Sequence, residues 1–462
     1  MKKKYFISAD FFIVVLITVM TILYVSLIFN RNIWTDEAFT MDLVNSNSIT
    51  GIIKGTAVDV HPPLYYIIAY IFVAIFGTSF QVYKIVSIVP MILTMLLALI
   101  YIKPWFGRKT AILFILFLNA IPCVMEYGVQ MRMYSWCLFF ISLAVLSAYG
   151  YYWFRSKKYL VLLTIAGICA CYTHNFSMIS AVFIYILLGI FLVIKERKFP
   201  LEWLISGASV SVFYLPWLIV LYNQTNNRVG NYWISTIDKE TILGYFSDIF
   251  GSGIPYSTVM FVVLWGVAII LLSATVHKYK NIGIFGILLF LVPIFTAVLG
   301  VVVSVLITPF FVARYLLPCM GLLALGLALA FRNEEGYVYA FLCLFLVCMI
   351  GNSYYENYKK EYLSTNVDEF LEYMDDKLED DDIVVYNYET FGFIYECYFD
   401  GGHLAFLEEF DFGGEFENVW FIDSCCIPWL PESTLTEYGL FKEYIDTFSI
   451  EHNEFRLYRI YK

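Results

Sequence analysis

The chain has 462 residues, of which 60% are hydrophobic and only 15% charged, with a mean hydropathy of +0.73. A soluble domain of this length needs more charge to clothe its surface, so a soluble enzyme and a nucleic-acid binder are excluded and an integral membrane protein is indicated. The net charge of −10 hides an asymmetry: residues 352–462 hold 26 of the 39 acids but only 7 of the 29 bases, which leaves residues 1–351 net basic.

In chain order, Lys2, Lys3 and Lys4 precede an apolar run over 8–29. The segment TVMTILYVSLIFN offers no A-x-A-like cleavage site, so a retained signal-anchor helix is expected. Further runs of spanning length, roughly 17–25 residues, fall near 82–102, 109–125, 133–152, 201–222, 256–276, 282–306 and 312–331, with a shorter one at 337–351. Residues 159–194 are too long for one crossing, and THNFS at 173–177 breaks them into two. Eleven transmembrane helices result. The apolar stretch 63–77 is only about fifteen residues long and opens on Pro62 and Pro63, which suits an interfacial helix within a first loop over 30–80.

Charge orients these spans. Fifteen of the body's 22 basic residues cluster at 2–4, 103–109, 155–158, 195–198, 278–280 and Arg332. The positive-inside rule puts these clusters, and the N-terminus, in the cytoplasm. Asp36, Glu37, Asp59, His61, Glu126, Arg132, His174, Arg314 and the acidic tail then share the extracytoplasmic face of a multi-pass protein in the cell membrane.

The division expected is a membrane domain over 1–351 and an acidic soluble α/β domain over 352–462. In the tail, the spacing of Phe370, Leu371, Met374 and Leu378 predicts a helix over 367–378. Residues 382–387, 403–407, 418–423 and 454–461 read as strands, the first and third as a parallel pair, with a helix near 434–446 before the last. No glycine-rich phosphate loop follows the first strand, and the glycines at 401–402 and 413–414 read as turns. The ten cysteines lack zinc or redox spacing. Cys169 and Cys171 read as core residues, and the adjacent Cys425 and Cys426 cannot easily pair.

Asp36 and Glu37 lie in IWTDEAFTMDLV, apolar around them, as if projecting from an amphipathic element against the membrane. A carboxylate held there can serve as general base or metal ligand; the plainer reading is two solvated carboxylates at the end of a span. His61, before Pro62 and Pro63, is either structural, a hydrogen-bond donor to phosphate, or a ligand with His174 to a divalent ion, although no spacing identifies a metal. Arg132 and Arg314 sit beside spans, where charge is costly and points to function unless the side chains snorkel to the headgroups. Guanidinium suits bidentate grip on phosphate, so an anionic lipid headgroup would meet both.

The ordered segments WTDEAFT, HPPLYYIIAYIFVAIFGTSFQVYKIVSIV, EYGVQMRMYSW, YTHNFS and ARYLLPCMGLLALGLAL resemble the GT-C superfamily of polytopic glycosyltransferases. The branch that they resemble includes bacterial relatives of protein O-mannosyltransferases and of the aminoarabinose–lipid A transferase. The resemblance covers most of 30–330 and implies a helical membrane fold with interfacial helices in the first loop. It implies a polyprenyl-phosphate-linked sugar as donor, Asp36 as catalytic base or acceptor binder with Glu37 beside it, and Arg132 and Arg314 on the donor phosphate, with His61 lining the same cavity. Glu126, Gln130, Tyr134, His174 and Tyr315 are further cavity candidates. Many relatives carry Glu where this chain has Gln130, which leaves the second carboxylate to Glu126 or another residue.

These expectations describe an inverting transfer to an extracytoplasmic lipid, protein or wall glycan. One rival is a flippase for lipid-linked glycans, which needs a polar path through the membrane. The apolar runs between 133 and 331 contain almost no ionisable group at mid-depth. Another is a non-catalytic membrane partner with a sensing ectodomain.

Overall fold

A computed structural model describes residues 2–228, 234, 236–251, 257–278, 280–399, 403–414, 416–424, 430–451 and 453–462. Cys425, Cys426 and the expected turn at 400–402 lie outside these residues. Among the described residues seven helical segments are long and apolar enough to cross a membrane: Phe80–Phe106, Tyr134–Phe154, Asn175–Glu196, Leu201–Asn226, Asn281–Leu306, Ala313–Ala330 and Gly336–Lys377. The other four expected spans are also helical, at Lys2–Ser26, Arg108–Ala120, Lys157–Thr173 and Ser257–Lys278. The run expected over 109–125 stops early. Ile121 turns to extended backbone ahead of Pro122, which begins a separate short helix, Pro122–Tyr127.

The first loop folds into three short helices, Thr35–Asn45, Ile49–Val58 and Leu64–Phe76. Each has a local cause. The Glu37 carboxylate accepts from the Trp34 N–H at 3.2 Å and closes the first turn of Thr35–Asn45. Ser48 accepts from the Gly51 N–H and caps the second helix. Pro63 precedes the third, which ends at Gly77 in the left-handed region at φ 91°. This third helix, thirteen residues long, coincides with the stretch expected not to span.

The two ends of the bundle differ in chemistry. At one end the basic clusters pair with acids on neighbouring helices: Arg155 with Glu196, Lys157 with Glu202 at 3.6 Å, and Lys109 with Glu335 at 3.1 Å. The first-loop helices, Arg132, His174 and the tail gather at the other.

The tail forms a five-stranded mixed sheet in the order β2-β1-β3-β5-β4, with β1 Ile383–Tyr386, β2 Leu404–Phe406, β3 Asn418–Ser424, β4 Phe441–Ile450 and β5 Asn453–Tyr461. β1 runs parallel to β2 and β3, whereas β5 is antiparallel to β3 and β4. Helix Val367–Lys377 covers one face, with Phe370 packed on Phe448 and Phe455. On the other, Phe412, Leu430, Leu435 and Leu440 pack on Val385, Val419, Phe421 and Ile460.

One expectation fails here. Residues 434–446 are not a helix: only Glu432–Glu437 is helical, Gly439 breaks it at φ 67°, and 441–450 become β4. The aromatic and β-branched run Tyr444, Ile445, Thr447, Phe448 and Ile450 finds its partner in β5, and this hairpin pairing outweighs the weak helical spacing.

The sheet domain rests on the first loop. Tyr398 donates to the Arg31 carbonyl at 2.6 Å, the Glu451 N–H donates to Asn32 Oδ1 at 2.9 Å, and Phe393 packs edge-on against Phe39.

Candidate active site

The first turn of Thr35–Asn45 presents Asp36 toward two arginines brought from distant parts of the chain. Arg132 Nη2 lies 3.7 Å and Arg314 Nη2 3.6 Å from the same oxygen, Asp36 Oδ2. Arg132 is almost fully buried and is fixed further by donating to the Asp36 carbonyl at 2.9 Å, with Thr40 Oγ1 at 3.4 Å and Tyr66 OH at 3.5 Å. Arg314 lies over the Trp34 ring, 5.3 Å from its centre. Asp36 keeps 34% of its side chain exposed, so an incoming group can reach it. A half-buried but reachable carboxylate held between two guanidiniums can take a proton from a bound hydroxyl. The guanidiniums can grip an anion at the same place.

Glu37 is different although it is adjacent. It is buried, with Oε1 accepting from the Met131 N–H at 2.7 Å and Oε2 from Trp34. Burial pushes its carboxyl up to about 7; Lys84 and the two N–H donors oppose the rise, and Glu361 adds to it. It ties the loop before Arg132 to the helix carrying Asp36, which is a positioning geometry.

The other expected residues separate into two groups. His61 and His174 stack with ring centres 5.1 Å apart, and Tyr315 lies 4.8 Å and Tyr134 5.7 Å from His174. Burial and the nearby charges of Arg132 and Arg314 hold both imidazoles down, His174 to about 3, so both are neutral. The neighbouring His174 lowers His61 further. Gln130 is buried, its Oε1 without a hydrogen-bond partner among the described residues. Glu126 is drawn elsewhere, to Lys360 at 2.9 Å.

A metal does not fit this arrangement: among the described residues no three His, Cys, Asp or Glu side chains are grouped to hold an ion. The described cysteines are all free thiols.

Sequence reasoning passed over Lys84. Its Nζ, buried, donates to Asn30 Oδ1 at 2.6 Å and the Asn32 carbonyl at 3.2 Å, and pairs with Glu361 at 3.3 Å. The available signal was one lysine in an otherwise apolar run, a placement that needs a partner.

Residues 60–220 match the family model described as dolichyl-phosphate-mannose-protein mannosyltransferase. Two crystal structures of ArnT from Cupriavidus metallidurans share the fold over nearly the whole chain. The apo form has a TM-score of 0.63 at 10% identity, covering 98% of each chain. The form bound to undecaprenyl phosphate has a TM-score of 0.61 at 11% identity, covering 97% of this chain and 98% of that one. No curated protein matches the chain in sequence. With the loop helices, the converging arginines and the sheet domain in place, this chain is a multi-pass membrane protein that shares its fold with ArnT over nearly its whole length.

Proposed function

We propose that the protein is a membrane glycosyltransferase that moves a sugar from a polyprenyl-phosphate donor to an acceptor on the outer side of the cell membrane. The observation that carries this reading is the meeting of Arg132 and Arg314 on one oxygen of the accessible Asp36. Two guanidiniums supply preorganised positive charge for a phosphate that gains charge as it leaves. The mannosyltransferase family match and the fold shared with an undecaprenyl-phosphate-bound structure support the same donor class.

In the reaction, Asp36 accepts the proton of an acceptor hydroxyl or amine. The freed electron pair attacks the anomeric carbon from the face opposite the phosphate, so configuration inverts. The bond between that carbon and the phosphate oxygen breaks, and its electrons leave with polyprenyl phosphate, held by Arg132 and Arg314. His61, neutral, is a hydrogen-bonding group of the same cavity rather than a further cation. The donor is already activated, so no nucleotide is needed. The basic end of the bundle, with the N-terminus, faces the cytoplasm. Asp36 and the domain over 352–462 face outward, where membrane lipids and the acceptor meet.

The test is release of polyprenyl phosphate, followed by mass spectrometry, from a panel of polyprenyl-phosphate sugars offered with envelope acceptors to the protein in nanodiscs. Turnover of one donor is expected. Failure of every donor both to turn over and to bind would exclude the reading.

A further inference from the structure

Beside the arginine pair lies a cavity of about 270 Å³, bordered by Tyr315, next in sequence to Arg314. Its polar lining includes His61, His174, Asn175 and Gln224. Each of these has a buried polar atom with no hydrogen-bond partner among the described residues: His61 Nδ1, His174 Nε2, Asn175 Oδ1 and Gln224 Oε1. Buried polar groups are ordinarily satisfied, and four lapses around one cavity call for a ligand or water.

The polarity of these atoms can be read from what the rest of each side chain does. His174 Nδ1 accepts from the Phe176 N–H at 3.1 Å, so the proton of the neutral ring sits on Nε2, a donor. Gln224 gives its amide hydrogens to the Thr56 and Ala57 carbonyls at 2.9 and 3.3 Å, which leaves Oε1 as an acceptor. Asn175 donates to the Val60 carbonyl at 3.2 Å, leaving Oδ1 likewise. The cavity thus offers at least one neutral donor and two neutral acceptors, the complement of hydroxyl groups. No carboxylate is among its described lining residues, and Arg132 and Arg314 bias the surrounding potential positive. A cationic ammonium would meet repulsion from the arginines and find no carboxylate on the cavity's described wall to pair with. Met178, Leu221, Val303 and Ile307 form an apolar wall suited to the C–H faces of a sugar ring and the lipid beyond it.

We infer that this cavity is the subsite for the donor's sugar, and that it takes an uncharged, hydroxyl-rich glycosyl group in preference to an amino sugar. His174 and Gln224 set that specificity. The inference rests on the polyprenyl-phosphate donor reading above.

The full chain in nanodiscs is tested with three probes: sugar-free undecaprenyl phosphate, its neutral hexosyl derivative, and its 4-amino-4-deoxypentosyl derivative. Turnover is measured as released lipid phosphate, and binding by native mass spectrometry. The hexosyl donor is expected to exceed the amino-sugar donor at least about 10-fold in kcat/KM. Gln224→Leu and His174→Phe are expected to lower kcat/KM for the hexosyl donor by about 10- to 100-fold, the scale of a polar site left unpaired. Binding of sugar-free undecaprenyl phosphate should stay within about two-fold, within the scatter expected of a contact not removed. A hexosyl donor lacking ring hydroxyls tests the same point on the wild type and should lose a similar factor.

Preference for the amino sugar overturns the subsite, as does an unchanged hexosyl kcat/KM in both variants. So does an equal loss of sugar-free lipid phosphate binding, provided that the wild type binds it. If the wild type neither binds the lipid phosphate nor turns over any probe, the donor reading itself falls and the subsite with it.

Discussion

Two buried polar clusters, one in the sheet domain and one at the end of the helical bundle that carries the first-loop helices, are built on opposite terms. In the sheet domain, Asp382 is 1% exposed and its carboxylate accepts four hydrogen bonds. They come from Trp420 Nε1, Asn418 N, Asn418 Nδ2 and Glu379 N, at 2.8 to 3.3 Å. Beyond Ser353, no described buried side-chain nitrogen or oxygen lacks a partner. In the bundle, by contrast, Arg132 Nε, Gln130 Oε1 and the four cavity atoms are buried without one. Satisfied networks hold a fold together, while unsatisfied ones store binding capacity at a cost in stability. The sheet domain's network is closed on itself, whereas the bundle end leaves buried polar groups that water or a ligand could satisfy.

Changes in the two clusters should separate stability from activity. The largest stability effect is expected in the sheet domain: Asp382→Ala leaves the Trp420 and Asn418 donors buried and unpaired, at about 4 kcal/mol. A lowered unfolding transition of the sheet domain, read by Trp fluorescence in the full chain, checks this; an unchanged transition would deny the network its role.

Next comes Glu37, whose raised pKa sets a sign. The preference for the neutral form in the folded state stabilises fully below the ordinary carboxylate value near 4.5, and this is lost as pH rises through about 7. The stability of the wild type relative to Glu37→Gln should fall across that window by up to about 3 kcal/mol and then level off. Denaturation at a series of pH values measures it, and a difference flat from pH 4 to 8 would contradict the assignment.

Glu361→Gln should cost less, about 2 kcal/mol, because Lys84 keeps Asn30 and Asn32 after losing its counter-charge. A double-mutant cycle with Lys84→Met isolates the pair, and zero coupling would show that it contributes nothing. The smallest effect belongs to Arg31→Ala, which removes the half-exposed pair with Asp368 at 2.8 Å and should cost below about 1 kcal/mol.

What could be read from the sequence follows the same division. Apolar runs long enough to span are a strong local signal, and so is the interruption at His174, where the helix Lys157–Thr173 ends and Asn175–Glu196 begins. The strands Val384 to Tyr386 and Val419 to Ile422 announced themselves by β-branched and aromatic residues, and they pair in parallel. The segment 441–450 was misread because its partner, β5, lies across a turn that periodicity does not register. At the site, Asp36, Arg132 and Arg314 were visible because charge beside a membrane span is costly. Their convergence on one oxygen was not, since it depends on packing among three elements remote in sequence. Lys84 stayed hidden because its counter-charge, Glu361, is 277 residues away.

The most direct test of the catalytic assignment is Asp36→Asn, assayed for release of polyprenyl phosphate from the donor that the wild type uses, alongside binding of that donor. Arg132 retains its bond to the residue-36 carbonyl, and both guanidiniums keep the positive charge that would hold phosphate. The expected result is a loss of turnover of about 10²- to 10⁴-fold, the range for a removed general base, with donor affinity kept or increased. Turnover within a few-fold of the wild type would contradict the placing of Asp36 at the centre of the chemistry.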